Sequence, residues 1–207
     1  MTKTFKTEQE SFWAGTFGDD YIGRNKSQRL LASNIAFFTD IFKRVNNITS
    51  VMEFGANIGM NIRAIDKILV DAEFSAVEIN DKACEQLREH INGSVYHCSI
   101  LDYCPKEQYD FVFTKGVLIH INPDELDSVY RKLYEASSRY ICVAEFYNPS
   151  PMVIPYRGHE DRLFKRDFAG EMLDKFQDLK LIDYNFVYHR DNNFAQDDIT
   201  WFLMEKI

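Results

Sequence analysis

Residues 51–59 read Val-Met-Glu-Phe-Gly-Ala-Asn-Ile-Gly, a β-prone run followed by two glycines that open a helix. Gly55 can take a positive φ and let a ligand approach the backbone, while Gly59 lets the helix start close to the strand. A dinucleotide asks for G-x-G-x-x-G, because its pyrophosphate sits on the helix N-terminus. Here the pattern is E-x-G-x-x-x-G, which suits a nucleotide-like ligand without a pyrophosphate. A tight strand-to-helix turn also needs glycine for structural reasons alone. Glu78 ends the next apolar strand, 23 residues beyond Gly55, a register from which a carboxylate can accept both hydroxyls of a ribose. A solvated strand end or a helix-start charge is the plainer alternative.

A second group lies between residues 156 and 166, where Arg157, Arg162, Lys165, Arg166 and His159 are opposed only by Glu160 and Asp161. Arginine matches phosphate and carboxylate geometry, so this segment suits an anionic small substrate, with Tyr147 and Tyr156 as wall residues. Pairing within the chain is the competing account. His120, Glu145 and His159 are the candidate general bases, and His120 in its apolar run also reads as a hydrogen-bonded core residue.

These residues need elements to position them. The recurrence of Leu31, Ile35, Phe38, Phe42 and Val45, with Ser27 as cap, predicts an amphipathic helix over 27–46. From residue 50 onward β-prone and helical runs alternate: strands at 50–54, 74–79, 95–98, 110–113 and 140–146, helices at 58–69, 81–91 and 123–136. That order predicts a parallel sheet. After Phe146 about 20 residues look irregular, as functional loops do. A helix at 167–176 and strands at 181–189 and 199–205 follow, the last two forming an antiparallel hairpin across a polar turn.

The 207 residues suit one domain, read as 1–207 with a helical cap or lid at 1–48, a core at 49–207 and a substrate loop at about 147–166. A net charge of −8 argues against nucleic acid and anionic membrane as partners. Cys84, Cys98, Cys104 and Cys142 form no C-x-x-C pair, so neither a zinc site nor a disulfide framework is expected, and no metal is. With polar first residues and no apolar run of membrane length, a cytoplasmic protein is expected.

Three stretches carry a resemblance: E-F-G-A-N-I-G at 53–59, S-A-V-E-I-N at 75–80 and F-V-F-T-K-G-V-L-I-H-I-N-P-D at 111–124 resemble motifs of class I S-adenosylmethionine-dependent methyltransferases. F-W-A-G-T-F-G-D-D-Y-I-G-R-N at 12–25 and Y-N-P-S-P-M-V-I-P-Y-R-G-H-E-D-R-L-F-K-R-D-F-A-G at 147–170 resemble methylases associated with pseudaminic acid biosynthesis in bacterial surface-glycan loci. The resemblance implies a Rossmann-like α/β fold: a seven-stranded, mostly parallel sheet, helices on both faces, a C-terminal antiparallel hairpin and an N-terminal helical cap. It implies S-adenosylmethionine as cofactor and S-adenosylhomocysteine as product. Gly55, Asn57 and Gly59 would border the methionine part, Glu78 the ribose, Ser99 and Ile100 the adenine edge, and Thr114 and Lys115 the sulfonium and acceptor pocket. Glu53 and Ile79 complete that set, and Phe12, Trp13, Tyr21, Arg24 and Asn25 would form a lid, either over the ligand or as an apolar staple on the domain. Many class I enzymes carry an acid or amide where this chain has Thr114-Lys115. The implied reaction is O-methylation of a small anionic carbohydrate or nucleotide-sugar precursor of surface glycans. A phosphorylated or phosphoramidate-type capsule precursor and a non-catalytic cofactor-binding subunit are the alternatives. Asn148-Pro149-Ser150-Pro151 follows the fifth strand and lacks the ending of the D/N-P-P-aromatic motif, so DNA methylation is not expected.

Overall fold

The computed structural model describes residues 5–24 and 26–207; Asn25, one of the expected lid residues, lies outside the described residues. Three helices open the chain: α1 (Glu8–Ala14), α2 (Thr16–Ile22) and α3 (Gln28–Phe42). The alternation expected from residue 50 follows as β1 (Ser50–Phe54), α4 (Met60–Asp66), β2 (Glu73–Glu78), α5 (Asp81–Leu87), β3 (Val95–His97), β4 (Tyr109–Lys115), α6 (Leu126–Ala136) and β5 (Ser137–Glu145). The chain closes with β6 (Met152–Tyr156), β7 (His159–Lys165), α7 (Phe168–Lys175), β8 (Leu179–Val187) and β9 (Ile199–Lys206).

Seven strands form one sheet in the order β3-β2-β1-β4-β5-β9-β8. β1 pairs parallel with both β2 and β4, while β9 runs antiparallel to its neighbours β5 and β8, so β9 alone is inverted. Central strands covered on both faces need apolar residues throughout, which is what Val51, Met52 and Phe54 supply, all at 0 % exposure. Met52, Phe54, Val112 and Ile141 pack with residues of α6 and α7 on one face; Val51, Phe111, Phe113 and Trp201 pack with α3 and α4 on the other.

The Ser27 hydroxyl caps α3 by accepting from the Leu30 N–H, as expected, although the helix ends at Phe42 rather than near residue 46. Its buried stripe is Phe37, Phe38, Ile41 and Phe42, and the Phe38 ring meets Phe113 edge-on at 5.2 Å. Thus α3 is built into the same apolar layer as the sheet.

The segment expected to be irregular after Phe146 contains a two-stranded antiparallel hairpin, β6 with β7. Its turn is Tyr156-Arg157-Gly158-His159, with φ of 52° at Arg157 and 83° at Gly158. Two successive positive φ values are what a tight hairpin turn needs to match the twist of its strands. Arg-Gly fills these positions in place of the usual Asn-Gly, and the many charges around it hid the strand pattern.

Phe38→Ala removes a side chain with no solvent exposure from the joint between α3 and the sheet. It should lower the unfolding free energy by about 3–5 kcal/mol in urea denaturation; a loss under about 1 kcal/mol would mean that α3 is only loosely attached.

Candidate functional site

At the carboxyl ends of β1, β2 and β4, where the strand order reverses direction, the fold leaves a cavity of about 220 Å³. That is many times the roughly 15 Å³ that one water needs. Its wall includes Gly55, Asn57, Glu78, Ile79, Ser99, Ile100 and Lys115 from the sheet ends, Trp13 and Tyr21 from the N-terminal helices, and His120. Sequence reasoning had singled out all ten.

Gly55 sits at φ 79°, and a Cβ there would fall 2.7 Å from Val117 Cγ2, so both backbone shape and space require glycine. Asn57 is also left-handed, at φ 49°, which aims its backbone N–H at Glu78 Oε2, 2.7 Å away. The Asn80 N–H donates to Glu78 Oε1 at 2.7 Å. Burial pushes the Glu78 carboxyl above its ordinary range, against the pull of these backbone donors. With Ile79 as a third backbone donor, the two oxygens, which have about four accepting positions between them, keep capacity for a hydroxyl. Ser99 Oγ accepts from the Leu101 N–H at 3.0 Å and shapes the loop after β3.

Beyond β4 the chain turns at Gly116 into a 3-10 turn, Leu118–His120. The buried Glu145 carboxylate organises this turn, accepting from the N–H groups of Val117 and Leu118 at 3.0 Å and of Ile119 at 3.4 Å. Burial pushes its carboxyl up to about 7, in spite of those donors. Glu145 is absent from the cavity wall; it braces the turn that carries His120. His120 is buried between Trp13 (4.7 Å) and Tyr156 (4.9 Å), its ring tilted against both, with Nδ1 2.5 Å from the Arg162 carbonyl oxygen. A carbonyl only accepts, so Nδ1 carries the proton and Nε2 the lone pair. Desolvation lowers the His120 pKa to about 4, which keeps the ring neutral at pH 7.

Several other expected residues stand apart from the cavity. Glu53 is fully buried and accepts from Asn61 Nδ2 at 2.7 Å, and burial pushes its carboxyl up to about 8. Thr114 is buried behind the wall, and Gly59 caps α4 at φ 78° with Leu87 of α5 pressed against it. His159 is exposed on β7, its ring 5.0 Å from Phe12. Tyr147 is exposed beside Phe202. The basic loop largely pairs within the chain: Arg162 with Glu8 at 2.9 Å and Arg166 with Glu171 at 2.6 Å. Arg24 and Arg157 line a second, adjoining hollow.

Wall residues that sequence reasoning passed over are Glu10, Asn34, Asn61, Gln196 and Asp197. Asn34 had a signal, a polar residue inside the apolar stripe of α3; its Oδ1 accepts from Lys115 Nζ at 3.3 Å and Gln196 Nε2 at 3.0 Å. Glu10 had one too, as the fourth residue of a Thr-x-x-Glu capping box. Gln196 and Asp197 had none.

No protein-family model and no curated protein sequence matches the chain. Solved structures do. Magnesium protoporphyrin IX methyltransferase from Synechocystis, crystallised with SAM bound, is 11% identical with a TM-score of 0.66 over 99% of this chain and 100% of that one. A SAM-dependent methyltransferase from Leishmania major is 13% identical, TM-score 0.70, over 96% and 81% of the two chains. DesVI from Streptomyces venezuelae is 11% identical, TM-score 0.63, over 98% and 100%. The likeness is one of architecture: the chain has the Rossmann-like class I methyltransferase fold. Among the described residues no helix is long and apolar enough to cross a membrane.

Two measurements test this geometry. With a pKa depressed from 6.5 to about 4, His120 should keep its Nδ1-protonated neutral form from pH 7.5 to 5 in imidazole nitrogen NMR; titration near 6.5 would show a solvated ring. By linkage its contribution to stability is complete above pH 6.5 and is lost as pH falls through about 4, because the unfolded chain takes the proton first. Glu145→Ala strands three backbone donors and should cost about 2–3 kcal/mol in urea denaturation; Glu145→Gln, keeping one acceptor oxygen, should cost less. Equal losses would deny the carboxylate its bracing role.

Proposed function

We propose that the chain is an S-adenosylmethionine-dependent methyltransferase that O-methylates a small anionic acceptor. The observation carrying this reading is Glu78, a buried carboxylate at the end of β2 whose oxygens keep accepting capacity at the cavity wall. A ribose diol is the natural donor pair for it. The rest of the wall fits the same group. Glu10 Oε1 and Trp13 Nε1, in residues that line the cavity, are buried without partners, and the faces of Trp13 and Tyr21 suit a sulfonium cation. Gly55, Asn57 and Gly59 would border the methionine part, Ile79 the ribose, and Ser99 with Ile100 the adenine; Glu53 and Thr114 would act from behind the wall.

Once bound, the cofactor supplies a methyl group on an already activated leaving group, so the protein's task is positioning. Trp13, Tyr156 and the Arg162 carbonyl fix the His120 ring in one tautomer. Its Nε2 then takes the proton from an acceptor hydroxyl. The depressed basicity of His120 favours a second reading, in which the acceptor oxygen is already ionised, as in a phosphorylated precursor, and needs no base. Resemblance to the pseudaminic acid-associated methylases supports a carbohydrate or nucleotide-sugar precursor of surface glycans as the acceptor, with Trp13 of α1 and Tyr21 of α2, rather than the core helix α3, contributing the lid.

Calorimetric titration of S-adenosylmethionine and S-adenosylhomocysteine tests the reading. The wild type should bind both, and Glu78→Ala should weaken both by at least about tenfold, since hydrogen bonds to a charged group are lost. An unchanged affinity in the variant would take the ribose away from Glu78; no binding by the wild type would overturn the proposal.

A further inference from the structure

Beside the cavity, and sharing Tyr21, Leu30 and Asp197 with it, lies an open hollow between the start of α3 and the β6–β7 turn. Arg24, Arg29 and Arg157 line it. Among the described residues none of the three makes an ion pair, although the chain carries 32 acidic residues against 24 lysines and arginines. Contrast Arg162 and Arg166, which are paired within the chain. Arg24 stands over the Tyr21 ring at 5.9 Å and Arg157 over Tyr156 at 5.4 Å, and although Arg157 also hydrogen-bonds the Tyr156 side chain, a guanidinium's five N–H groups leave donors on both. Asp197 is the one carboxylate in the lining. The remaining lining includes Ser27, whose hydroxyl caps the 15-residue α3, and Ser33.

Three guanidinium groups in one hollow repel each other, and Asp197, which acts on Arg157, offsets only one of the three charges, so the hollow keeps a positive excess that an anion would relieve. The tight β6–β7 turn, with Arg157 at φ 52°, places this side chain at the rim. We infer that this hollow is the seat of the acceptor's anionic group, a phosphate or carboxylate held by Arg24, Arg29 and Arg157 while the acceptor's oxygen reaches into the neighbouring cavity. The inference rests on the proposed methyltransferase reading and deepens it by assigning the acceptor's charge to specific residues. It also moves the recognition of charge away from Arg162, which is committed to Glu8.

The test uses the full chain saturated with S-adenosylhomocysteine and titrated with inorganic phosphate, followed through the arginine side-chain N–H signals by NMR, in the wild type and in Arg29→Gln/Arg157→Gln. Both positions are exposed, so the substitutions leave the core untouched. Saturable binding in the wild type, weakened about tenfold or more in the variant while its S-adenosylhomocysteine affinity stays within about twofold, is the expected result. Absence of saturable phosphate binding, or binding of equal strength in the variant, would overturn the inference. If the variant instead loses S-adenosylhomocysteine about tenfold, the arginines hold the cofactor's own carboxylate, and the acceptor assignment falls. Should the wild type bind no S-adenosylhomocysteine yet lose phosphate through the substitutions, the cofactor reading fails and the anion seat stands.

Discussion

The site depends first on one buried carboxylate. Glu145, at the end of β5, reaches across to β4 and collects the N–H groups of Val117, Leu118 and Ile119. Those donors would otherwise be stranded where the chain leaves the sheet, at a cost of about 1–3 kcal/mol each. The wall of the cavity beyond β4 inherits its position from this bracket. Val117 presses against Gly55 and so fixes how closely the loop after β1 approaches the loop after β4. His120 follows one turn later. The bracket works against burial, which pushes the Glu145 carboxyl up to about 7; the three donors are what let an acid so deep in the protein retain anionic character at all.

The cover of the cavity is a second consequence. Three separate pieces of chain, α1, the β6–β7 hairpin and the 3-10 turn, would have little reason to stay together on apolar area alone, since the hairpin leaves Met152 and Val153 exposed. Directional bonds join them instead. Gln9 Nε2 donates to the Asp161 carbonyl at 3.0 Å, Arg162 pairs with Glu8, and the Arg162 carbonyl accepts from His120. The rings of Trp13, His120 and Tyr156 meet in tilted contact across the same joint, each contributing from a different piece. Hydrogen bonds of this kind are individually modest, about 0.5–1.5 kcal/mol, but they specify geometry in a way that an apolar contact cannot.

The sequence was most readable where chemistry is local. The loop after β1 and the acid ending β2 could be placed because positive φ, strand ends and a fixed register leave their marks within a few dozen residues, and the strand–helix alternation forced a parallel sheet with one inverted strand. Where the partner lies far along the chain, reading failed. The bracing of Glu145 depends on donors 26 to 28 residues earlier, and the pairing of Arg162 with Glu8 spans 154 residues. A run of basic residues in the sequence therefore overstated the free positive charge of the β6–β7 region. The hairpin itself was missed because its alternation is weak, its turn is Arg-Gly, and its charges read as a loop. Gln196 and Asp197 reach the wall only because β9 folds back beside β5, a fact of topology that no local pattern carries.

Charge is sorted along the site rather than balanced at each point. Inside, burial pushes the Glu53 carboxyl up to about 8 and lowers Lys115, so desolvation disfavours charge of either sign in the deepest layer. Lys115 keeps Asn34 as its hydrogen-bonding partner and the face of Phe37 at 5.4 Å, both uncharged. At the end of β2 stands Glu78; toward solvent stand the arginines of the second hollow. A cation at such a cavity meets carboxylate and aromatic faces, whereas an anion is drawn to the rim. Segregation of this kind favours ligands of opposite charge at opposite ends of the site, because each is repelled by the other's place. In a chain of net charge −8 the arginine rim is the exception in the electrostatics, and its position next to the cavity mouth gives that exception a direction.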